Sequence, residues 1–112
     1  MTHAISPATL GAISRALDVD EIRQQVHAHN VANAGVTGFT AKTPVFSAQL
    51  ASASEALGPS ESIVSIRDTG QPVELTAELA DMSQNAVHYQ SLVKLLNRHY
   101  AIASMVLNDG KR

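Results

Sequence analysis

Cysteine and tryptophan are missing from the 112 residues, and only two Phe and two Tyr are present. Without cysteine there is no disulfide framework and no thiolate chemistry, which suits either side of a bacterial inner membrane. Hydrophobic residues make up 45% of the chain, but much of that is Ala. Small apolar side chains bury little area each, so a self-sufficient core is hard to assemble and partners are expected to supply the rest. No apolar run reaches the ~18 residues of a membrane span. Met1 to Pro7 has neither the basic region nor the apolar run of a signal peptide, so export is expected to proceed without a cleaved signal. Net charge is −2 with a pI near 6.2, and the eight basic residues are scattered. No basic patch with interleaved aromatics forms, and nucleic acid is not an expected partner.

The chemistry of catalysis is equally sparse. The acidic residues fall mainly at helix starts, no Gly-rich loop precedes a helix, and Ser, His and Asp stand at no informative spacing. Neither an enzyme nor a cofactor is expected. His27 and His29 are two apart, on different faces of a helix, and His88 and His99 are eleven apart, so none makes the i, i+4 pair of a helical metal site. They read as packed or solvated side chains, with cross-helix pairing left open.

What is present is one long seam. Leu75, Leu79, Met82, Ala86, Tyr89, Val93, Leu96, Tyr100, Ala103 and Leu107 follow at alternating steps of four and three, a period of 3.5 that keeps one helical stripe facing a partner helix. Leu92, Leu95, Ile102 and Val106 widen the face beyond what one partner needs. Pro72 closes the preceding loop, Leu75-Thr76 offers a staple-and-cap pair, and Glu74, Glu78 and Asp81 place negative charge at the start. Lys94 and Arg98 lie towards the end. Asn108-Asp109-Gly110 is expected to stop the helix with a left-handed turn. The seam predicts a helix over 73–108, roughly 45–50 Å long at 1.5 Å per residue.

Before it, residues 1–9 read as a loose leader. Leu10, Ile13 and Leu17, then Ile22, Val26 and more weakly Ala34, give an N-terminal helical part over 10–34. Its phase shifts near Val19, and Asp18-Val19-Asp20-Glu21 has the Asp-x-x-Glu spacing of a capping box. One helix with a register change and two abutting helices fit equally. Gly35 is expected to take the left-handed position after it, with a further bend at Thr37-Gly38. The connector arm, 35–72, is expected to be extended and partly irregular. It contains Pro44, Gly58-Pro59, a Ser/Ala-rich stretch from Ser47 to Ser62, a possible short helix from Phe46 to Leu57, a short strand Ile63–Ile66 and a turn at Asp68-Thr69-Gly70. Residues 109–112 form a tail. The fold class is therefore mainly α: a single domain in which an N-terminal and a long C-terminal helix pack as an antiparallel hairpin or coiled coil.

Asn30-Val31-Ala32-Asn33, followed by Gly38-Phe39, resembles the signature of the rod and hook proteins of the bacterial flagellum. Val73-Glu74-Leu75, Met82-Ser83-Gln84-Asn85, Tyr89-Gln90 and Leu92-Val93-Lys94-Leu95-Leu96-Asn97 are similar to the C-terminal helix of that family's proximal rod members. The short length without an inserted domain fits those members best. The family's usual Thr-Pro before the Gly is Val36-Thr37 here, which removes the proline that fixes φ in the turn. The resemblance implies a structural rod subunit in the periplasmic part of the basal body, exported by the flagellar type III apparatus and assembled through its terminal helices. It implies as partners other rod proteins, the adaptor between MS-ring and rod, and the export gate. Asn30 and Asn33 are read as amides that bond backbone at the helix end and fix where the connector departs. Leu96→Asp is expected to abolish rod assembly while export continues. The alternatives are a self-folding helical adaptor or chaperone-like protein of a secretion system, and a helical hairpin secreted by another export system.

Overall fold

The computed structural model describes residues 6–46 and 64–110. The order of elements is α1 (Pro7–Ala32), β1 (Lys42–Phe46), β2 (Val64–Asp68) and α2 (Leu75–Asp109). The two helices pack antiparallel, as the sequence predicts, and a small strand pair projects from the connector between them.

Helix α1 starts earlier than the periodicity suggests. Pro7, read as part of a loose leader, is the first helical residue, where its fixed φ is an asset and its missing N–H costs nothing. Ser6 caps it, its Oγ accepting from the Thr9 amide at 3.1 Å. The helix then runs unbroken through Asp18-Val19-Asp20-Glu21, so that tetrapeptide is not a capping box. Asp20 is 1% exposed and its carboxylate turns across to the opposite helix. The phase shift near Val19 has a different cause. Beyond it α1 serves two neighbours at once: Asp20, Gln24 and His27 face α2, while Arg23 and Asn30, at i and i+7, reach β1.

Asn33 ends α1, and Gly35 does not take the left-handed conformation expected of it. Gly38 does, at φ 82°, three residues further on. Strand β1 was hidden in the sequence by Pro44, and Phe46, read as the start of a helix, is its last residue. Pro44 pairs with Ile66. Because the Thr69 amide donates to the Ala41 carbonyl at 2.9 Å, odd-numbered β1 residues take the hydrogen-bonded positions, and Pro44 points its amide nitrogen away from β2. Strand β2 overlaps the expected Ile63–Ile66 strand, and the Asp68-Thr69-Gly70 turn forms with Gly70 at φ 70°. The rest of the expected Phe46–Leu57 helix, Ile63, the Ser/Ala-rich stretch, residues 1–5 of the leader and Lys111-Arg112 lie outside the described residues.

Helix α2 has 35 residues. Its length is roughly 50 Å, close to that expected from the seam. Its N-cap is Glu74 without a side-chain hydrogen bond, so Thr76 is the second helical residue and not the cap. Gly110 closes the C-terminus in right-handed conformation at φ −68°, so the expected left-handed stop is not used. Among the described residues, the buried apolar side chains are Ile13, Val26 and Ala41, and none belongs to α2. So thin a core is what the shortage of aromatics predicts. The molecule is correspondingly drawn out, with a radius of gyration of 18.2 Å. A compact chain of this length would have about 13 Å.

Candidate assembly interface

The helix pair is held at its centre by polar side chains. Glu78, Asn85, Leu92 and His99 stand seven apart on α2 and are all half-buried. On α1, Ile13, Asp20 and His27 stand seven apart in the same way. His27 Nδ1 lies 2.6 Å from Glu78 Oε2; a carboxylate oxygen only accepts, so Nδ1 donates. The next layer joins Asn85 to α1: its amide donates to the Asp20 carbonyl at 2.7 Å and to Gln24 Oε1 at 3.0 Å. His88 Nδ1 donates to Asp20 Oδ2. Asp20 Oδ1 is buried without a hydrogen bond, with Arg23 Nη1 at 3.9 Å supplying charge only. The same antiparallel register brings Leu92 level with Ile13.

Asn30 is fully buried and ties three elements together. Its Nδ2 donates to the Lys42 carbonyl at 2.8 Å and to Glu78 Oε1 at 3.1 Å, and its Oδ1 accepts from the Lys42 amide at 2.8 Å. An asparagine amide carries the same donor and acceptor as a peptide unit, so Asn30 pairs with Lys42 as a neighbouring strand would. That fills the outer edge of β1 at Lys42, and Pro44 closes the next outward position. Asn33 acts locally, its Nδ2 donating to the His29 carbonyl at 2.8 Å. Val31 is half-buried and Ala32 exposed on the last turn of α1. Gly38 makes the bend, and the Phe39 ring then packs edge-on against His29, with Lys42 Nζ 5.2 Å from its centroid. Arg23 lies over the Phe46 ring at 4.9 Å.

Asp68 locks the base of the arm, where β2 turns towards α2. It accepts from Lys42 Nζ at 2.6 Å, Thr40 Oγ1 at 2.5 Å and the Gly70 amide at 2.9 Å. The bond from Lys42, then those from Thr40 and Gly70, hold its carboxyl well below the usual carboxylate range.

The α2 seam divides on this frame. Met82, Leu96 and Ala103 are half-buried beside the Glu78–Asn85–Leu92–His99 column, and Tyr89 shares their line at 39% exposure. Leu79, Ala86, Val93, Tyr100 and Leu107 form a second column, seven apart and one step around the helix. In it Ala86 and Val93 are half-buried, while Leu79, Tyr100 and Leu107 are 48%, 57% and 67% exposed. Leu75 is exposed at the head of the seam, and Leu95 and Val106 are exposed on the opposite flank. α1 therefore covers the middle of a face that is wider than itself.

Periodicity of apolar residues alone passed over Asp20, Glu78, Asn85 and His88. The signal that finds Glu78, Asn85 and His99 is their seven-residue phase with Leu92, one step from Met82, Leu96 and Ala103.

Polar groups engaged across the helix pair and apolar groups left in solvent define a helix-packing protein whose longer helix is incompletely covered. Over an alignment of 123 positions, covering 92% of this chain and 95% of the relative, the sequence is 28% identical to the flagellar basal body rod protein FlgB of Bacillus subtilis strain 168. No protein-family model matches the chain, and no solved structure matches it. Among the described residues no helix is long and apolar enough to cross a membrane.

Proposed function

We propose that this chain is a structural subunit of the proximal rod of the bacterial flagellar basal body, exported by the flagellar type III apparatus and assembled through α1 and α2. The observation that carries the reading is the end-to-end likeness to a basal body rod protein combined with an α2 face that α1 only half covers. The site residues divide accordingly: Asn30, Val31, Ala32, Asn33, Gly38 and Phe39 fix how the arm leaves the hairpin, and the seam from Leu75 to Leu107 packs helices. The partners are other rod proteins, the adaptor between MS-ring and rod, and the export gate, and the location is the periplasmic rod.

Magnitudes favour several neighbours over one. Leu79, Tyr100 and Leu107 are already about half covered, so completing their burial stabilises by roughly 1–2 kcal/mol each, a part of the ~1.5–3 kcal/mol gained by a side chain buried from full exposure. That only matches the ~4–15 kcal/mol lost in translational and rotational freedom when two bodies associate. A single partner on this column binds marginally. Neighbours on both flanks, reaching Leu75 on one side and Leu95 and Val106 on the other, bind well.

The test uses residues that α1 leaves uncovered, because Leu96 is half-buried on the hairpin side and its substitution disturbs both interfaces. In cells whose own gene carries Leu79→Asp with Tyr100→Asp, motility in soft agar and the yield of isolated rods fall to background while the subunit is still exported. Normal motility contradicts the reading. The self-folding adaptor of a secretion system is the second reading, favoured by the polar pairing of α1 with α2 inside one chain. It predicts a substitution phenotype in secretion and not in the rod.

A further inference from the structure

The geometry points to a function for the part-buried polar layers between α1 and α2: Asp20 with Asn85, and His27 with Glu78, set the register of the hairpin. This inference does not depend on the rod reading. An apolar layer is indifferent to its partner, and a helix pair built from Leu and Ile layers alone slides by one heptad at little cost. Here each slide is penalised. Moved one heptad in one direction, Asp20 comes level with Leu92, and a carboxylate that is 1% exposed loses both His88 and the Asn85 layer. Moved the other way, Asp20 comes level with Glu78, carboxylate against carboxylate, and Asn85 meets Ile13. Burying an ionised group without a partner, or two of like sign together, is among the costliest arrangements a protein interior offers.

The observed register gives Asn85 two acceptors and His27 a carboxylate. It does so at the expense of affinity, since Asp20 Oδ1 is left without a hydrogen bond even there. Such a trade is expected of a specificity device: well-packed apolar residues in place of a buried ionic group are often neutral or stabilising, while the single solution is lost. The register matters beyond the hairpin. It decides which of Leu79, Tyr100 and Leu107 stand beyond the end of α1 and which lie alongside it, and hence the shape of the uncovered stripe.

The absence of cysteine makes the test clean. Nitroxide labels are placed at Ala28→Cys and Ser91→Cys, both exposed and well separated along the axis, in full-length chain held folded with trimethylamine N-oxide. Labelled chain is diluted into unlabelled chain, so that distances between molecules vanish. Pulsed dipolar spectroscopy on the otherwise unsubstituted protein is expected to give one distance. With Asp20→Leu and Asn85→Leu added, helicity is retained and two or more distances appear, differing by up to the ~10 Å axial length of one heptad. Should that variant lose its helix signal, His27→Leu with Glu78→Leu removes the adjacent layer and is expected to show the same split. The parent distance alone in a folded variant would show that the arm, and not the polar layers, sets the register. That result, a parent chain without a single distance, or failure of both variants to form a hairpin overturns the inference.

Discussion

Asn30 shows most plainly how one side chain organises its surroundings. Fully buried, it holds the Lys42 peptide and Glu78 at once, and no other residue type of its size offers donor and acceptor in that geometry. Asn30→Ala leaves the Lys42 amide and carbonyl unpaired, at a cost of about 1–3 kcal/mol. The midpoint of folding induced by trimethylamine N-oxide is expected to move to higher osmolyte; an unmoved midpoint would reduce Asn30 to a bystander. Asp68 is a different case, exposed and screened, with its pKa lowered chiefly by Lys42. A group whose folded-state pKa is depressed contributes stability above its unfolded pKa, about 3.9 for Asp, and loses it as pH falls through the folded value. Protection of the Gly70 amide against hydrogen exchange, corrected for the intrinsic rate, is therefore expected to hold above about pH 4 and weaken below it. In Asp68→Asn that dependence should vanish, and a persisting one would point to another carboxylate.

Helices α1 and α2 were legible in the sequence because a helix announces itself by a repeated apolar stripe, and both have one. Their boundaries were less so. Ser6-Pro7 is a sound helix start that carries no periodicity, and Gly35 and Gly110 look like left-handed caps but are not needed as such. The β arm was half legible. Ile63–Ile66 has the β-branched composition of a strand, whereas β1 contains Pro44, acceptable only because its nitrogen faces away from β2. The interface was the least legible part. Asp20, Glu78, Asn85 and His88 are polar, and a search for apolar stripes treats them as surface; their role depends on which residue of the other helix lies opposite. The positive φ of Gly38 gives a check on the connector itself. A Cβ there would meet nothing within 4 Å. Gly38→Ala is therefore resisted by backbone conformation alone, costing roughly 1 kcal/mol. The osmolyte midpoint of that variant should rise by less than that of Asn30→Ala, and an equal or larger shift would indicate a steric contact.

Taken whole, the chain is a long, thin hairpin whose longest helix buries no residue and leaves Leu75, Leu79, Tyr100 and Leu107 in water. Burial of that kind contributes little against the conformational entropy of ordering a chain, roughly 1–2 kcal/mol per residue for the backbone. The structure makes sense as one member of a larger packed body, and the likeness to a flagellar basal body rod protein suggests which body. Neighbours are expected to complete this core. The most direct test is far-UV circular dichroism of the purified, dilute chain without osmolyte, followed through a thermal melt at several concentrations. Weak helicity without a cooperative transition is the predicted result. Strong helicity with a sharp melt that does not move with concentration would contradict it, and would make this chain a self-sufficient domain of the adaptor kind.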